Sequence, residues 1–100
     1  MNMQKLAIGR IPAVLWGEQS QSRIIAVHGS HSSKTDEYIR ILAEEGAARG
    51  WQVLSFDLPR HGERAGGAEP CTAAVCVREL REVLRFARQG TRRTALFGCS

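Results

Sequence analysis

Three short apolar runs alternate along the chain with two stretches of helical periodicity, and this alternation constrains the fold more than any other feature. The runs cover residues 23–28, 51–57 and 94–98. Each is apolar almost without interruption, which is typical of a strand covered on both faces. Strands separated by helices pair in parallel through right-handed crossovers. The sequence therefore predicts an α/β fold, with a sheet between two helical layers.

The two helical stretches begin at residues suited to capping and end before glycine. The first has capping-box-like spacing at Ser33 and Asp36 and runs to about residue 49, and the second runs from Thr72 to about residue 89. Gly50 and Gly90 suit the left-handed position after a helix end. The first helix is expected to bury Tyr38, Ile41, Leu42 and Ala48. The second is expected to bury Cys76, Val77, Leu80, Val83, Leu84 and Ala87.

Two short β-favouring segments precede the first apolar run. They cover residues 5–10 and 11–16, and Gly9 and Pro12 between or near them indicate a bend or an edge position. We expect an antiparallel N-terminal pair beside a mostly parallel sheet. The complete prediction is a three-layer α/β sandwich, with residues 1–100 forming part of a single domain.

Composition is that of an ordinary globular domain, with 43% hydrophobic and 24% charged residues. We expect no membrane segment, since no apolar run approaches the roughly 18 residues needed to span a bilayer. The first residues do not resemble a signal peptide. Cys71, Cys76 and Cys99 are an odd number of cysteines, which favours free thiols and a cytoplasmic location. Cys71 and Cys76 lack paired C-x-x-C spacing, so neither a zinc site nor another cofactor is expected.

The positive charge is concentrated near the second predicted helix. The chain has a formal net charge of +4, and Glu79 and Glu82 face a larger set of basic side chains there. That set is Arg78, Arg81, Arg85, Arg88, Arg92 and Arg93. A nucleic-acid patch is one interpretation, but no aromatic residue or binding motif accompanies the arginines. They alternate with the apolar stripe, so we interpret them as a solvated helix face without a nucleic-acid partner.

Functional residue types follow each of the three apolar runs. Ligands of open α/β sheets bind beyond the carboxyl ends of the strands, where the strand order reverses. The third run leads into Gly98-Cys99-Ser100, the first three positions of a G-x-S-x-G turn. Such a turn needs a small residue where backbones approach closely, and it aims the serine hydroxyl into the crevice. The alternative for this segment is an ordinary exit from a strand into a loop.

The loop after the first run contains His28, Gly29, Ser30 and His31. The backbone N–H of Ser30 is a candidate oxyanion-hole donor, which would stabilise negative charge developing on a carbonyl oxygen. We interpret the His28 imidazole as structural, hydrogen-bonded to backbone. A metal pair formed by His28 and His31 has no apparent third ligand.

The loop after the second run contains Asp57, Pro59, His61 and Gly62. Asp57 can accept backbone N–H groups, and Pro59 fixes one dihedral angle of the turn. We favour a role for these residues in shaping the loop. The alternative is a catalytic role for Asp57 or His61.

Taken together, the three loops resemble the α/β-hydrolase superfamily over nearly the whole chain, as its N-terminal portion. Residues 27–29 (Val-His-Gly) resemble the oxyanion loop, and residues 57–62 (Asp-Leu-Pro-Arg-His-Gly) resemble the D-x-P-G-H-G segment. Residues 97–100 (Phe-Gly-Cys-Ser) resemble the approach to the nucleophile elbow. The resemblance implies that Ser100 is the nucleophile and that Ser30 contributes an oxyanion N–H. It also implies a strand order in which the first and third loops are neighbours.

The sequence departs from the family pattern at several points. Arg60 stands where the family has glycine, and the last glycine of the elbow is absent. The family supplies its acid and its base histidine after the elbow, whereas His28, His31 and His61 all precede Ser100. We therefore expect an incomplete fold, inactive as these 100 residues alone.

Two function classes follow from this reading. The first is a serine hydrolase that cleaves an ester, thioester or amide of a small-molecule substrate by acyl transfer. The second is a non-catalytic α/β domain that binds a ligand or a partner, with homo-oligomers formed through an exposed edge of the final strand as one form of association. A dinucleotide-binding domain is disfavoured because no G-x-G-x-x-G follows any strand. The sequence does not identify the acyl group, the leaving group or the oligomeric state.

Overall fold

The computed structural model describes residues 1–99 as a five-stranded sheet with helices packed against it. The strands are β1 (Met3–Ile8), β2 (Ile11–Trp16), β3 (Ser22–Val27), β4 (Gln52–Phe56) and β5 (Arg93–Gly98). The helices are α1 (Glu37–Ala48) and α2 (Ala73–Ala87), and a short 3-10 turn lies at Gly62–Arg64.

The strand order in the sheet is β1-β2-β4-β3-β5. β3 pairs in parallel with both β4 and β5, whereas β2 pairs antiparallel with both β1 and β4. Within residues 1–99, β2 is therefore the one strand that runs against the others. The predicted α/β fold, with its antiparallel N-terminal pair and its parallel strands, is confirmed.

The alternating side chains of the central strands form two cores. One core contains Ile25, Leu54 and Phe56 together with Val83 and Ala87 of α2. The other contains Val14, Trp16, Ala26 and Val53 together with Ile39 and Ala43 of α1. Burying one large apolar side chain fully contributes about 1.5–3 kcal/mol, so both faces of the sheet need a covering helix. This arrangement is the predicted three-layer sandwich.

The start and the buried face of α1 differ from the prediction. The N-cap is Asp36 and not Ser33, because the Asp36 side chain accepts the Glu37 N–H at 2.7 Å. The buried residues are Ile39, Ala43 and Gly46, and Ile41 is 50% exposed. A Cβ at position 46 would lie 3.4 Å from a Val53 methyl, so the backbone of α1 lies close to β4 at this glycine. The helix face turns toward β4 at this glycine, and that leaves Ile41 and Ala48 outside.

The predicted cap of α2 is confirmed, and most of its predicted stripe packs inward. Thr72 Oγ1 accepts the Val75 N–H at 3.2 Å, and Val83 and Ala87 are fully buried. The prediction was wrong for Val77, which is 51% exposed. Glu79 lies on the buried row instead of an apolar residue, because a guanidinium satisfies its carboxylate there.

β5 was expected to be covered on both faces, and that expectation was wrong. Leu96 is 58% exposed, and β3 is the only strand with which β5 pairs in the part of the chain that the structure describes. α1 packs mainly on β4 and α2 on β1 and β3, so the edge strand is only partly covered, with Phe97 packed against the core that includes α1. β5 thus presents an apolar strand with one unpaired edge.

Candidate active site

The end of β5 lies directly beside the start of the β3–α1 loop. Gly98 is in register with Val27, and the Cys99 N–H donates to the Val27 carbonyl at 3.1 Å. The parallel ladder therefore continues one residue past β5. Ser100 lies outside the described residues, so the predicted nucleophile has no described position. The backbone at the end of β5 therefore lies next to the start of the β3–α1 loop, as the resemblance implies for the first and third loops.

His28 connects the β3–α1 loop to the β4–α2 loop. Its Nε2 accepts the Leu58 N–H at 3.0 Å, and its Nδ1 lies 2.8 Å from the Gly29 carbonyl oxygen. Because Nε2 accepts an N–H, the imidazole proton is on Nδ1, which donates to Gly29. The buried imidazole thus uses both nitrogens on backbone atoms. His28 was predicted to be a structural residue, and both of its ring nitrogens contact backbone atoms.

The surroundings of His28 favour its neutral form. Burial lowers the pKa of His28, the hydrogen bond to Gly29 offsets part of this, and the nearby His61 lowers the pKa further. The two imidazole ring centroids are 5.0 Å apart. A neutral ring preserves the acceptor at Nε2 that the Leu58 N–H requires.

The backbone at Gly29 and Ser30 is held at a turn beside this histidine. The Gly29 N–H donates to Tyr38 Oη at 2.9 Å, which anchors the loop to α1. His31 follows with φ +61°, in the left-handed region that non-glycine residues rarely adopt. Ser30 is exposed, and its N–H donates to no acceptor among residues 1–99. This N–H is the predicted oxyanion donor.

Asp57 ties the first two loops together. Its Oδ1 accepts the Lys34 N–H at 3.0 Å, and its Oδ2 accepts the Glu63 N–H at 3.0 Å. The Lys34 ammonium also donates to Asp57 Oδ2 at 2.8 Å and lies 2.6 Å from Glu63 Oε2. Asp57 is wholly buried and Lys34 nearly so. The carboxylate therefore fixes one backbone amide from each loop.

Lys34 was not among the site residues predicted from the sequence. Burial lowers the pKa of Lys34, but the hydrogen bonds that its ammonium donates to Asp57 and Glu63 outweigh burial, and the net pKa is raised. The ammonium therefore stays charged beside its counter-charges. A lysine in a polar loop has no sequence pattern that predicts burial. Lys34 is buried because it contacts Asp57, which lies 23 residues further along the chain.

The turn from Arg60 to Gly62 follows Asp57, and Gly62 packs closely against the Asp57 carboxylate. Gly62 has φ +55°, and a Cβ at this position would overlap the Asp57 carboxylate. His61 Nδ1 lies 2.9 Å from the Pro59 carbonyl oxygen. Arg60, the residue in place of the family's glycine, has φ +65°. It therefore adopts a backbone conformation that favours glycine, at a cost of about 1–2 kcal/mol.

A second ion pair, also missed, joins the loop to α2. Arg64 donates to both oxygens of the Glu79 carboxylate, at 2.6 and 2.8 Å, and to the Asp57 carbonyl oxygen at 3.2 Å. Both side chains are largely buried. Bidentate pairs of this kind are the stronger class of ion pair. The loop after β4 is therefore bonded to His28, to Lys34 and to Glu79 of α2.

Most of the predicted site residues lie at the carboxyl-terminal ends of the parallel strands β3, β4 and β5. His28, Gly29, Asp57, His61 and Gly62 lie in two connected loops, and Gly98 lies at the end of the neighbouring β5. Over residues 1–99, no group of three or more His, Cys, Asp or Glu side chains could hold a metal ion. No helix in that range is long and apolar enough to cross a membrane.

No protein-family model and no curated protein matches this sequence. Among solved structures, a cold-adapted esterase from an Arctic intertidal metagenomic library is similar at 27% identity and a TM-score of 0.72. The match covers 96% of this chain and 48% of that esterase. An α/β-hydrolase enzyme from lagoon sediments of Mar Chica, Morocco, matches at 23% identity and a TM-score of 0.62, over 97% of this chain and 40% of its own. The chain has the α/β-hydrolase fold.

A further α/β-hydrolase-like match is a thioesterase domain from the curacin biosynthetic pathway. It is 21% identical, with a TM-score of 0.77 over 98% of this chain and 35% of that domain. The chain spans less than half the length of each of these three structures. The strand order and the neighbouring β3 and β5 loops agree with the α/β-hydrolase resemblance seen in the sequence.

Proposed function

We propose that residues 1–100 form the N-terminal part of a single α/β-hydrolase domain that cleaves esters or thioesters of small molecules through Ser100. The observation that carries this proposal is the β3–β5 register. In it, the Cys99 N–H donates to the Val27 carbonyl oxygen, beside the loop that contains Ser30. The similar esterase and thioesterase structures support ester-type substrates, and amides are the third class.

In this proposal the chemistry is acyl transfer. The Ser100 hydroxyl attacks the substrate carbonyl, the new O–C bond forms, and the carbonyl oxygen becomes an oxyanion. The Ser30 N–H, which has no acceptor among residues 1–99, donates to that oxyanion. The alcohol or thiol then departs with a proton, and water releases the acid. By the family resemblance, the base and acid that move these protons follow Ser100 in a longer chain.

The loop network has a positioning role in this mechanism. Within residues 1–99, His28 hydrogen-bonds only to backbone atoms. Asp57 accepts hydrogen bonds from backbone amides and from the Lys34 ammonium. Preorganised donors stabilise an oxyanion because they need no rearrangement during the reaction. We therefore assign these two residues to holding the Ser30 amide in place and not to proton transfer.

Hydrolysis of a short-chain p-nitrophenyl ester and of a short acyl thioester by the natural gene product containing residues 1–100 tests the proposal. We expect Ser100→Ala to lower kcat by about 1,000-fold or more, since removal of a nucleophile leaves only residual catalysis. Thr35→Ala, which removes an exposed hydroxyl near the same loop, is the control and should leave kcat unchanged. Full activity of the Ser100→Ala variant would contradict the proposal.

The second candidate function is a non-catalytic domain that self-associates, and the exposed edge of β5 favours it. Leu96 is 58% exposed on this strand, which pairs on one side with β3 and has no partner strand on the other among residues 1–99. If β5 pairs between copies, residues 1–100 will dimerise in sedimentation experiments, and Leu96→Lys will weaken the dimer. Val77→Lys, at a similarly exposed apolar residue on α2, is the control. A monomer at all concentrations would exclude this candidate.

A further inference from the structure

Two cysteine side chains face each other at the N-terminal end of α2. The Sγ atoms of Cys71 and Cys76 are 3.8 Å apart, which is van der Waals contact. Cys71 immediately precedes the N-cap Thr72, and Cys76 is the fourth residue of the helix. Residues at these two positions pack together when a hydrophobic staple fixes the entry of the chain into a helix. The helix cap therefore brings the two sulfurs together.

The geometry of this pair is close to that of a disulfide. A disulfide bond is about 2.05 Å long, so the sulfurs need to approach by about 1.8 Å from their present 3.8 Å. Cys71 is exposed and lies in coil before the helix, where side-chain rotation can supply this approach. The hydrogen bond from the Val75 N–H to Thr72 Oγ1 holds the turn between the two cysteines.

The third cysteine provides an internal comparison. Cys99 is exposed at the end of β5, and no other sulfur contacts it in the described part of the chain. The sequence spacing gave no indication of pairing, because Cys71 and Cys76 do not form a C-x-x-C motif. The distinction between a paired and an isolated thiol arises only from the helix cap.

We propose that Cys71 and Cys76 form a reversible dithiol–disulfide site, oxidised by a low-molecular-weight disulfide of the glutathione class. The exposed Cys71 thiolate attacks one sulfur of the small disulfide, which forms a mixed disulfide and releases one thiol. The Cys76 thiolate then attacks the Cys71 sulfur, which forms the intramolecular bond and releases the second thiol. The protein loses two protons and two electrons, and the small disulfide gains them as it becomes two thiols.

The environments of the two thiols set the order of these steps. Burial, followed by the contact with Cys71, raises the pKa of Cys76 to about 11, so its thiolate is scarce at neutral pH. Thiolates, and not thiols, attack disulfides. Cys71, which is exposed, is therefore the attacking residue, and Cys76 is the resolving residue.

The cross-link would fix the first turn of α2. This is the helix from which Glu79 holds Arg64 against the loop after β4. A disulfide at 71–76 closes a short ring and joins the residue before the cap to the helix itself. Oxidation is thus expected to raise the melting temperature of the chain, which reduction by dithiothreitol reverses. This inference is independent of the hydrolase proposal.

Peptide mapping after incubation with glutathione disulfide tests the site. Trypsin cleaves after Arg64, Arg78 and Arg93, so one peptide carries both paired cysteines and another carries Cys99. We expect peptide 65–78 to lose about 2 Da, the mass of the two hydrogens removed. The Cys76→Ser variant should instead accumulate a stable glutathione adduct on Cys71. The Cys99→Ser variant should form the disulfide as the wild type does.

Unfolding provides the second control, since two cysteines five positions apart can also meet in a flexible chain. In a glutathione redox buffer, we expect the folded chain to form the disulfide with an equilibrium constant about tenfold higher than the urea-unfolded chain. Equal constants would overturn the inference that the fold preorganises the pair. A glutathione adduct on Cys71 of the wild type, without loss of mass from peptide 65–78, would overturn the site itself.

Discussion

Asp57 is the residue on which the arrangement of the two loops depends most. We expect Asp57→Asn to lower the free energy of unfolding by about 3 kcal/mol, because it removes the buried counter-charge of the Lys34 ammonium. Glu63→Gln is the matched control, since the Glu63 side chain is 59% exposed and its pair should contribute less than about 1 kcal/mol. Urea denaturation measures both. Equal effects of the two substitutions would show that Asp57 does not organise the loops.

Gly62 is fixed by both its backbone conformation and its neighbour. Gly62→Ala should cost about 3 kcal/mol or more in unfolding free energy, from left-handed strain together with overlap with Asp57. Gly66→Ala separates the two causes, because Gly66 has φ +81° but nothing within 4 Å of an added Cβ. It should cost only about 1–2 kcal/mol in the same urea titration. If Gly66→Ala costs as much, steric contact with Asp57 is not decisive.

His28 makes stability depend on pH in a direction that the structure fixes. Its pKa in the folded chain is lowered by burial, whereas in the unfolded chain it is about 6.5. Between these two pKa values the unfolded state therefore binds more protons than the folded state. The contribution of His28 to stability is complete above pH 6.5 and declines as the pH falls. The slope is at most about 1.4 kcal/mol per pH unit. Urea denaturation between pH 5 and 7 should show a smaller slope for His28→Asn, and an unchanged slope would contradict this account.

At the level of elements, the cap of α2 is a local interaction with a measurable contribution. Thr72→Ala should destabilise the chain by about 1 kcal/mol, because the Val75 N–H loses its acceptor. Thr72→Ser keeps the hydroxyl and should be close to neutral. Thermal unfolding followed by circular dichroism compares the two variants. A loss of the same size in Thr72→Ser would assign the effect to the methyl group and not to the cap.

The sequence was sufficient to predict the strands and the course of the chain, since apolar runs and helix caps are local signals. It was less informative where distant contacts decide the outcome. The start of α1 depends on Asp36 and on the neighbouring loop that Asp57 holds through Lys34. Leu96 has the composition of a buried strand residue, and its exposure follows only from the edge position of β5.

The candidate site shows the same division between local and distant signals. The glycines and histidines at the ends of strands could be identified because turns and motifs restrict those positions. Lys34, Arg64 and Glu79 could not, because each is buried only through an ion pair with a residue far along the chain. Charged residues of this kind look like surface residues until their partners are known.

At the scale of the whole molecule, the two crossovers β3–α1–β4 and β4–α2–β5 bring three loops to the same end of the sheet. The parallel pairing of β3 with both β4 and β5 places the three carboxyl ends side by side. The ion pairs and the His28 bridge then connect the first two loops, and the ladder at Cys99 connects the third. A site assembled in this way depends on topology more than on any single motif.

Covalent labelling of the intact gene product with a fluorophosphonate probe tests the central proposal most directly. The account predicts a single adduct on Ser100, mapped by mass spectrometry, that disappears in Ser100→Ala and persists in the hydroxyl control Thr94→Ala. An adduct on another residue, or one that survives in Ser100→Ala, would contradict it.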